Sequence, residues 1–181
     1  SSPVQVGART TWARLSASGN FCLATTTDGK LYAWGNGAQG QLGQGNTTSY
    51  SSPVQVGSLT TWDYAGSAQA NALVIKTDGT LWAWGFNAYG NLGLGNTTYY
   101  SSPVQVGALT TWAKVEGPSG STSAVKTDGT LWSWGNNNKG QLGQGNTTSY
   151  SSPVQVGALT SWYVIATNSG ASDYVLATIR S

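Results

Sequence analysis

Large apolar residues alternate with small ones in Leu81-Trp82-Ala83-Trp84, and the run stops at Gly85. Just upstream, Ala72-Leu73-Val74-Ile75-Lys76 is an apolar run of strand length. Thr77-Asp78-Gly79-Thr80 separates the two, and Asp-Gly between apolar runs is a strong hairpin signal because both residues tolerate positive φ. Pro53-Val54-Gln55-Val56 reads as a third short strand, whose leading proline suits a strand start or an edge. Trp112-Ala113-Lys114-Val115 reads as a fourth. No segment sustains a 3.6-residue period, so helices are not expected. On this reading a side chain at Gly79 meets backbone strain, whereas Thr80→Val on the following strand is expected to be nearly neutral.

The pattern repeats every 50 residues. Ser-Ser-Pro-Val-Gln-Val-Gly begins at Ser1, Ser51, Ser101 and Ser151, and a tryptophan follows at Trp12, Trp62, Trp112 and Trp162. Thr-Asp-Gly recurs at Asp28, Asp78 and Asp128, and Trp-Gly at Trp34, Trp84 and Trp134. Gly-x-Leu-Gly-x-Gly-Asn-Thr-Thr runs from Gly40, Gly90 and Gly140. We read residues 1–181 as a single array of repeats 1–50, 51–100 and 101–150 with a partial, divergent capping repeat 151–181. Four short antiparallel strands per repeat describe an all-β fold of β-propeller blades. Strands are expected from Pro3–Val6 at one end to Trp162–Ile165 and Tyr174–Ile179 at the other, which makes about 3.75 blades. Blades stack face to face, so the tryptophans are expected in the core and the small residues beside them.

Composition narrows the chemistry. Charged residues make up 8 % of the chain, against about 25 % in an ordinary domain. There is no histidine, one cysteine, and a net charge of +2. A Ser-His-Asp triad, a Cys-His dyad and a histidine-bound metal are excluded. One cysteine makes neither an internal disulfide nor a thiolate cluster. The basic residues are scattered, so no nucleic-acid stripe is expected, and no apolar run is long enough for membrane insertion. The expectation is a protein that is not an enzyme and has no cofactor. Asp28, Asp78 and Asp128 read as turn-formers, and Asp63, Glu116 and Asp173 as surface solubility. Lys76 and Lys126 read as snorkelling lysines that protect an edge, and Cys22 as a buried inert thiol.

The run Lys76–Gly85, followed by Asn87–Gly95 and the Pro103–Val106 strand, resembles the repeat of the regulator of chromosome condensation family. Near-identical copies with polar linkers resemble its bacterial or phage versions, which occur in surface and secreted proteins. The resemblance implies a ring of about seven four-stranded blades. Family repeats usually carry a histidine before Thr-Asp-Gly, where this chain has Phe21, Asn71 and Ser121.

The candidate contact residues lie in the repeated polar segment: Asn46, Thr47, Thr48 and Tyr50; Asn96, Thr97, Thr98, Tyr99 and Tyr100; Asn146, Thr147, Thr148 and Tyr150. Tyrosines with small hydroxyl and amide residues make adaptable contact surfaces for a protein or a glycan surface. The function expected is a structural or adhesive binding module, extracellular or on a virion surface such as a phage tail or capsid appendage. A secreted protein-binding or enzyme-inhibitor propeller is the alternative, and a GTPase exchange factor a more distant one. The expected partners include a second copy closing the ring as a homo-oligomer, or further repeats of a longer parent.

Overall fold

The computed structural model describes Ser2 and residues 5–68, 70–118, 120–167 and 175–179. Fourteen strands are described. The first sheet comprises β1 (Trp12–Ser18), β2 (Phe21–Thr26), β3 (Leu31–Gly35) and β4 (Tyr50–Gln55). The second comprises β5 (Trp62–Ser67), β6 (Asn71–Lys76), β7 (Leu81–Gly85) and β8 (Tyr100–Gln105). The third comprises β9 (Trp112–Glu116), β10 (Ser121–Lys126), β11 (Leu131–Gly135) and β12 (Tyr150–Gln155). Strands β13 (Trp162–Thr167) and β14 (Val175–Ile179) pair as a two-stranded sheet. Within each four-stranded sheet, spatial order follows chain order and every pairing is antiparallel. The expected strand at Pro3–Val6 includes Pro3 and Val4, which lie outside the described residues.

The core lies between sheets. Alternate residues of a strand point to opposite faces. On β6, Ala72 and Val74 join one apolar cluster with Leu23, Leu31, Ala33 and Leu42 of the first blade. Leu73 and Ile75 join a second with Val115, Ala124 and Trp134 of the third. A middle strand thus faces a core on both sides, and all six residues of β6 are buried. This is why Ala72, Leu73, Val74 and Ile75 are all apolar. The first strand of each sheet packs on the first strand of the next, β1 on β5, β5 on β9 and β9 on β13. The blades converge along these strands and fan apart towards β4, β8 and β12.

Pro53 lies on an edge strand as expected, and two other local expectations need correction. Pro53 does not start its strand but sits inside β4, which begins at Tyr50. It is tolerated because β4 is an outer edge, where a missing N–H breaks no ladder. The hairpin turn has three residues rather than two. Gly79 N donates to Lys76 O, Lys76 N donates to Thr80 O, and among the turn residues only Gly79 has positive φ, at 76°. This is a tight turn closed by a glycine bulge. Thr80 is buried, and its hydroxyl links Asp78 Oδ1 at 2.6 Å to Trp82 Nε1 at 2.9 Å, so it is not a neutral position.

The lysines are also placed differently. Lys76 is 9 % exposed, with Nζ 3.7 Å from the centre of the Trp82 ring and 4.9 Å from that of Trp62. Lys126 repeats the arrangement over Trp132 at 3.6 Å and Trp112 at 5.2 Å. Burial depresses both ammonium pKa values. The first blade has Thr26 in this place, and its cation comes instead from Arg9, over Tyr32 at 4.6 Å. Arg9 occupies the position held by Leu59 and Leu109 in the next repeats, so the charge has moved from strand to linker while the cation–π contact is kept.

Candidate functional site

Each blade carries one long loop, between its third and fourth strands, over residues 36–49, 86–99 and 136–149. Half of the loop is structural. Leu42, Leu92 and Leu142 are buried, and the flanking glycines let the backbone enter the seam between blades. A Cβ on Gly43 would lie 2.8 Å from Trp84 Nε1, and one on Gly93 2.8 Å from Trp134 Nε1. Trp84 Nε1 donates to Gln41 O at 2.9 Å, and Trp134 Nε1 to Asn91 O at 3.0 Å. Gly45 N donates to Ser101 O and Gly95 N to Ser151 O, both at 2.8 Å. The loop of one blade is therefore bolted to the next.

The other half turns back over Asn-Thr-Thr. Asn46 Oδ1 accepts from Thr48 N at 2.8 Å, while its Nδ2 donates to Tyr50 Oη at 3.4 Å. Asn96 and Asn146 repeat both bonds with Thr98 and Tyr100, and with Thr148 and Tyr150. In the second and third blades a further asparagine clasps the loop from within. Asn87 Nδ2 donates to Asn96 O and Thr98 O, and Asn137 Nδ2 to Asn146 O and Thr148 O. Both are fully buried. Their clasping role is a feature that residue types alone do not reveal; the Trp-Gly-x-Asn spacing is the signal that carries it.

The candidate contact residues accordingly divide. Tyr50, Tyr100 and Tyr150 are half-buried and pack on the inter-blade cores, and Asn46, Asn96 and Asn146 shape the turn. Thr47, Thr48, Thr97, Thr98, Thr147, Thr148 and Tyr99 face solvent. The three loops project from the end of the sheets opposite the Thr-Asp-Gly hairpins.

Two grooves lie between the outer strands of neighbouring blades. The first, about 570 Å³, is lined by Gln55, Leu59, Trp62, Trp82 and Pro103. The second, about 350 Å³, is lined by the same residues one repeat on: Gln105, Leu109, Trp112, Trp132 and Pro153. Such volumes are those of small-ligand clefts. Trp82 and Trp132 are half-buried here, whereas Trp84 and Trp134 are wholly in the core.

The carboxylates are used structurally. Asp78 Oδ1 accepts from the Thr80 backbone and hydroxyl, which lowers its pKa, and Asp128 does the same with Thr130. Asp28 bonds to Lys30 and Thr26, which hold its pKa at about 2. Glu116 corrects the surface expectation. It is half-buried between blades, accepts from Tyr64 Oη at 2.5 Å, and burial raises its pKa. Burial raises that of Tyr64 as well. Asp63 is exposed and 3.8 Å from Arg14. Asp173 lies outside the described residues. Cys22 is half-buried, and desolvation raises its thiol pKa.

Matches to the regulator of chromosome condensation (RCC1) repeat cover residues 28–64, 78–125 and 128–174, and a second form of the same repeat matches residues 12–41. The chain belongs to the RCC1 repeat family. The RCC1 fold is shared with human WBSCR16, at 22 % identity and a TM-score of 0.72, over 81 % of this chain and 40 % of that one. It is shared with Prp20p of Saccharomyces cerevisiae, described with its binding to Gsp1p and histones, at 21 % identity and a TM-score of 0.74, over 84 % of this chain and 39 % of that one. Yeast RCC1 (Prp20) bound to Kap60 matches at 20 % identity and a TM-score of 0.74, over 84 % and 38 %. The chain spans about 40 % of the length of these relatives.

Proposed function

We propose that this RCC1-repeat chain is a non-enzymatic structural or adhesive binding module, displayed on a secreted or virion surface, that engages a protein or glycan surface through its long loops. The observation that carries the reading is the threefold repetition of one rigid loop. Each copy is fixed by its Asn–Tyr and Asn–Thr bonds and presents the same exposed threonine pair. Rigid, repeated contacts lower the ordering cost of each engagement and add avidity. Protein binding by Prp20p, which carries the same fold, supports a binding role, though fold alone does not transfer its partners. The low charge and the Ser, Thr and Asn content support an exposed location.

Fractionation of the source tests this. The chain is expected to copurify with envelope or virion particles. Recovery entirely as a stoichiometric soluble complex with one target would overturn the adhesive reading in favour of an inhibitor.

A further inference from the structure

Three departures of the second blade from the repeat meet at one place. Positions 36, 86 and 136 are Asn, Phe and Asn; 39, 89 and 139 are Gln, Tyr and Lys; 49, 99 and 149 are Ser, Tyr and Ser. In the first and third blades two of these positions hold the loop. Asn36 Oδ1 accepts from Ala38 N at 2.8 Å, and Asn136 Oδ1 from Asn138 N at 3.1 Å. Ser49 Oγ accepts from Gly37 N at 3.1 Å, and Ser149 Oγ from Asn137 N at 3.0 Å. Phe86 can make no such bond, and no equivalent bond from Asn87 N to Tyr99 is found. The second blade has exchanged these hydrogen bonds for a half-buried phenylalanine and two exposed tyrosines.

The rings form one cluster. Phe86 lies 5.8 Å from Tyr89 and 5.1 Å from Tyr99, tilted about 60° to each. Tyr89 is 47 % exposed and Tyr99 44 %. Tyr89 reaches the third blade, where Gly120 makes room for it; a Cβ there would lie 2.9 Å from Tyr89 Cδ2. The second blade has Ala70 at the place of Gly120.

We propose that Phe86, Tyr89 and Tyr99 form a binding site for an uncharged saccharide. Residues 86–99 contain no Asp, Glu, Lys or Arg, so the surface has no charge to recruit a phosphate or an acidic or basic peptide. Two half-exposed tyrosines and a phenylalanine offer roughly 200–300 Å², well short of the ~800 Å² per partner of a stable protein interface. That area matches one or two sugar rings. Their C–H faces stack on the exposed aromatic faces, and their hydroxyls find the tyrosine hydroxyls and the exposed Thr97 and Thr98. The proposal rests on the binding-module reading and names the ligand chemistry of one loop.

Saturation-transfer NMR with a panel of neutral mono- and disaccharides (glucose, galactose, N-acetylglucosamine and their β-linked dimers) tests it. The control is the chain carrying Phe86→Asn, Tyr89→Gln and Tyr99→Ser, the residues of the first repeat, which already fold in that setting. At least one sugar is expected to receive saturation on its ring C–H protons, with affinity lost at least about tenfold in the control at a Tm equal to or above that of the parent. Should the triple change lower Tm, Tyr99→Ser alone is the comparison. No transfer to any sugar, or equal affinity in the control, would each overturn the proposal. The threonine pairs of all three loops would still be tested separately, so this failure is distinct from failure of the adhesive reading.

Discussion

Trp84 Nε1 donates to Gln41 O at 2.9 Å, and the bond joins the third strand of one blade to the long loop of the blade before it. Both partners are buried. The same bond, 43 residues apart, recurs between Trp134 and Asn91. Trp34, the equivalent in the first blade, is only half-buried. Removing the indole N–H leaves a buried carbonyl short of a donor and opens space against Gly43. Trp84→Phe is expected to cost about 2–4 kcal/mol. Trp34→Phe should cost less than half as much. Urea titrations of the two variants measure the difference.

Gly79 has a second constraint beyond its positive φ. A Cβ there would lie 2.1 Å from Thr110 O, in the linker that leads into the third blade. Gly79→Val therefore strains the turn and pushes against the next blade's entry, where Trp112 N donates to Gly79 O. A loss of at least about 3 kcal/mol is expected, at the upper end of turn strain alone. Thr80→Val breaks the link from Asp78 to Trp82 and is expected to cost about 1–2 kcal/mol. Thermal melts that rank Thr80→Val as the worse of the two would contradict the geometry.

Glu116 gives stability an unusual pH response. Its folded pKa lies above the unfolded value of 4.5, because burial disfavours the carboxylate more than the Tyr64 hydrogen bond favours it. The folded state then holds the proton more tightly. Stability from this group rises as pH falls from neutral through the folded pKa towards 4.5. The hairpin aspartates act in the opposite sense. Their pKa values are lowered, so their contribution is present above 3.8 and is lost as pH falls below it, down to about 2 for Asp28. Glu116→Gln keeps an acceptor for Tyr64 and removes the charge. Its Tm should equal or exceed that of the parent at pH 7, and the parent should gain on it between pH 7 and 4.5. A Tm difference that does not change over this range would contradict the assignment.

Much of the fold is legible because the repeat compares the chain with itself. The apolar run at Ala72–Lys76 marks a strand with a core on each face, and Thr-Asp-Gly marks the hairpin. The details that are not legible depend on partners that folding brings together, within a blade or across the seam. Lys76 looks like an edge lysine until Trp62 and Trp82 are placed around it. Glu116 looks like a surface acid until Tyr64 arrives from a residue 52 positions away. The loop tyrosines read as contacts, yet Tyr50, Tyr100 and Tyr150 face the cores. A side chain's partner lies on another strand of its blade or a full repeat away, so residue type alone misplaces it.

Blades from a second copy or from further repeats are proposed to complete the ring, because this chain spans about 40 % of the length of the propeller relatives it matches. If a second copy does so, light scattering of this chain should give twice its 18.7 kDa. A monomer at high concentration would contradict closure by pairing.

We propose that the exposed faces of the long loops carry the function. Substituting Thr47, Thr97 and Thr147 with Asp places like charge on all three loops without touching the buried asparagines or the core. Retention of the chain on envelope or virion particles, measured by quantitative sedimentation, is the most direct measurement. The triple variant is expected to keep the parent Tm and to lose at least about tenfold in retention. Retention equal to that of the parent, at equal Tm, would contradict it.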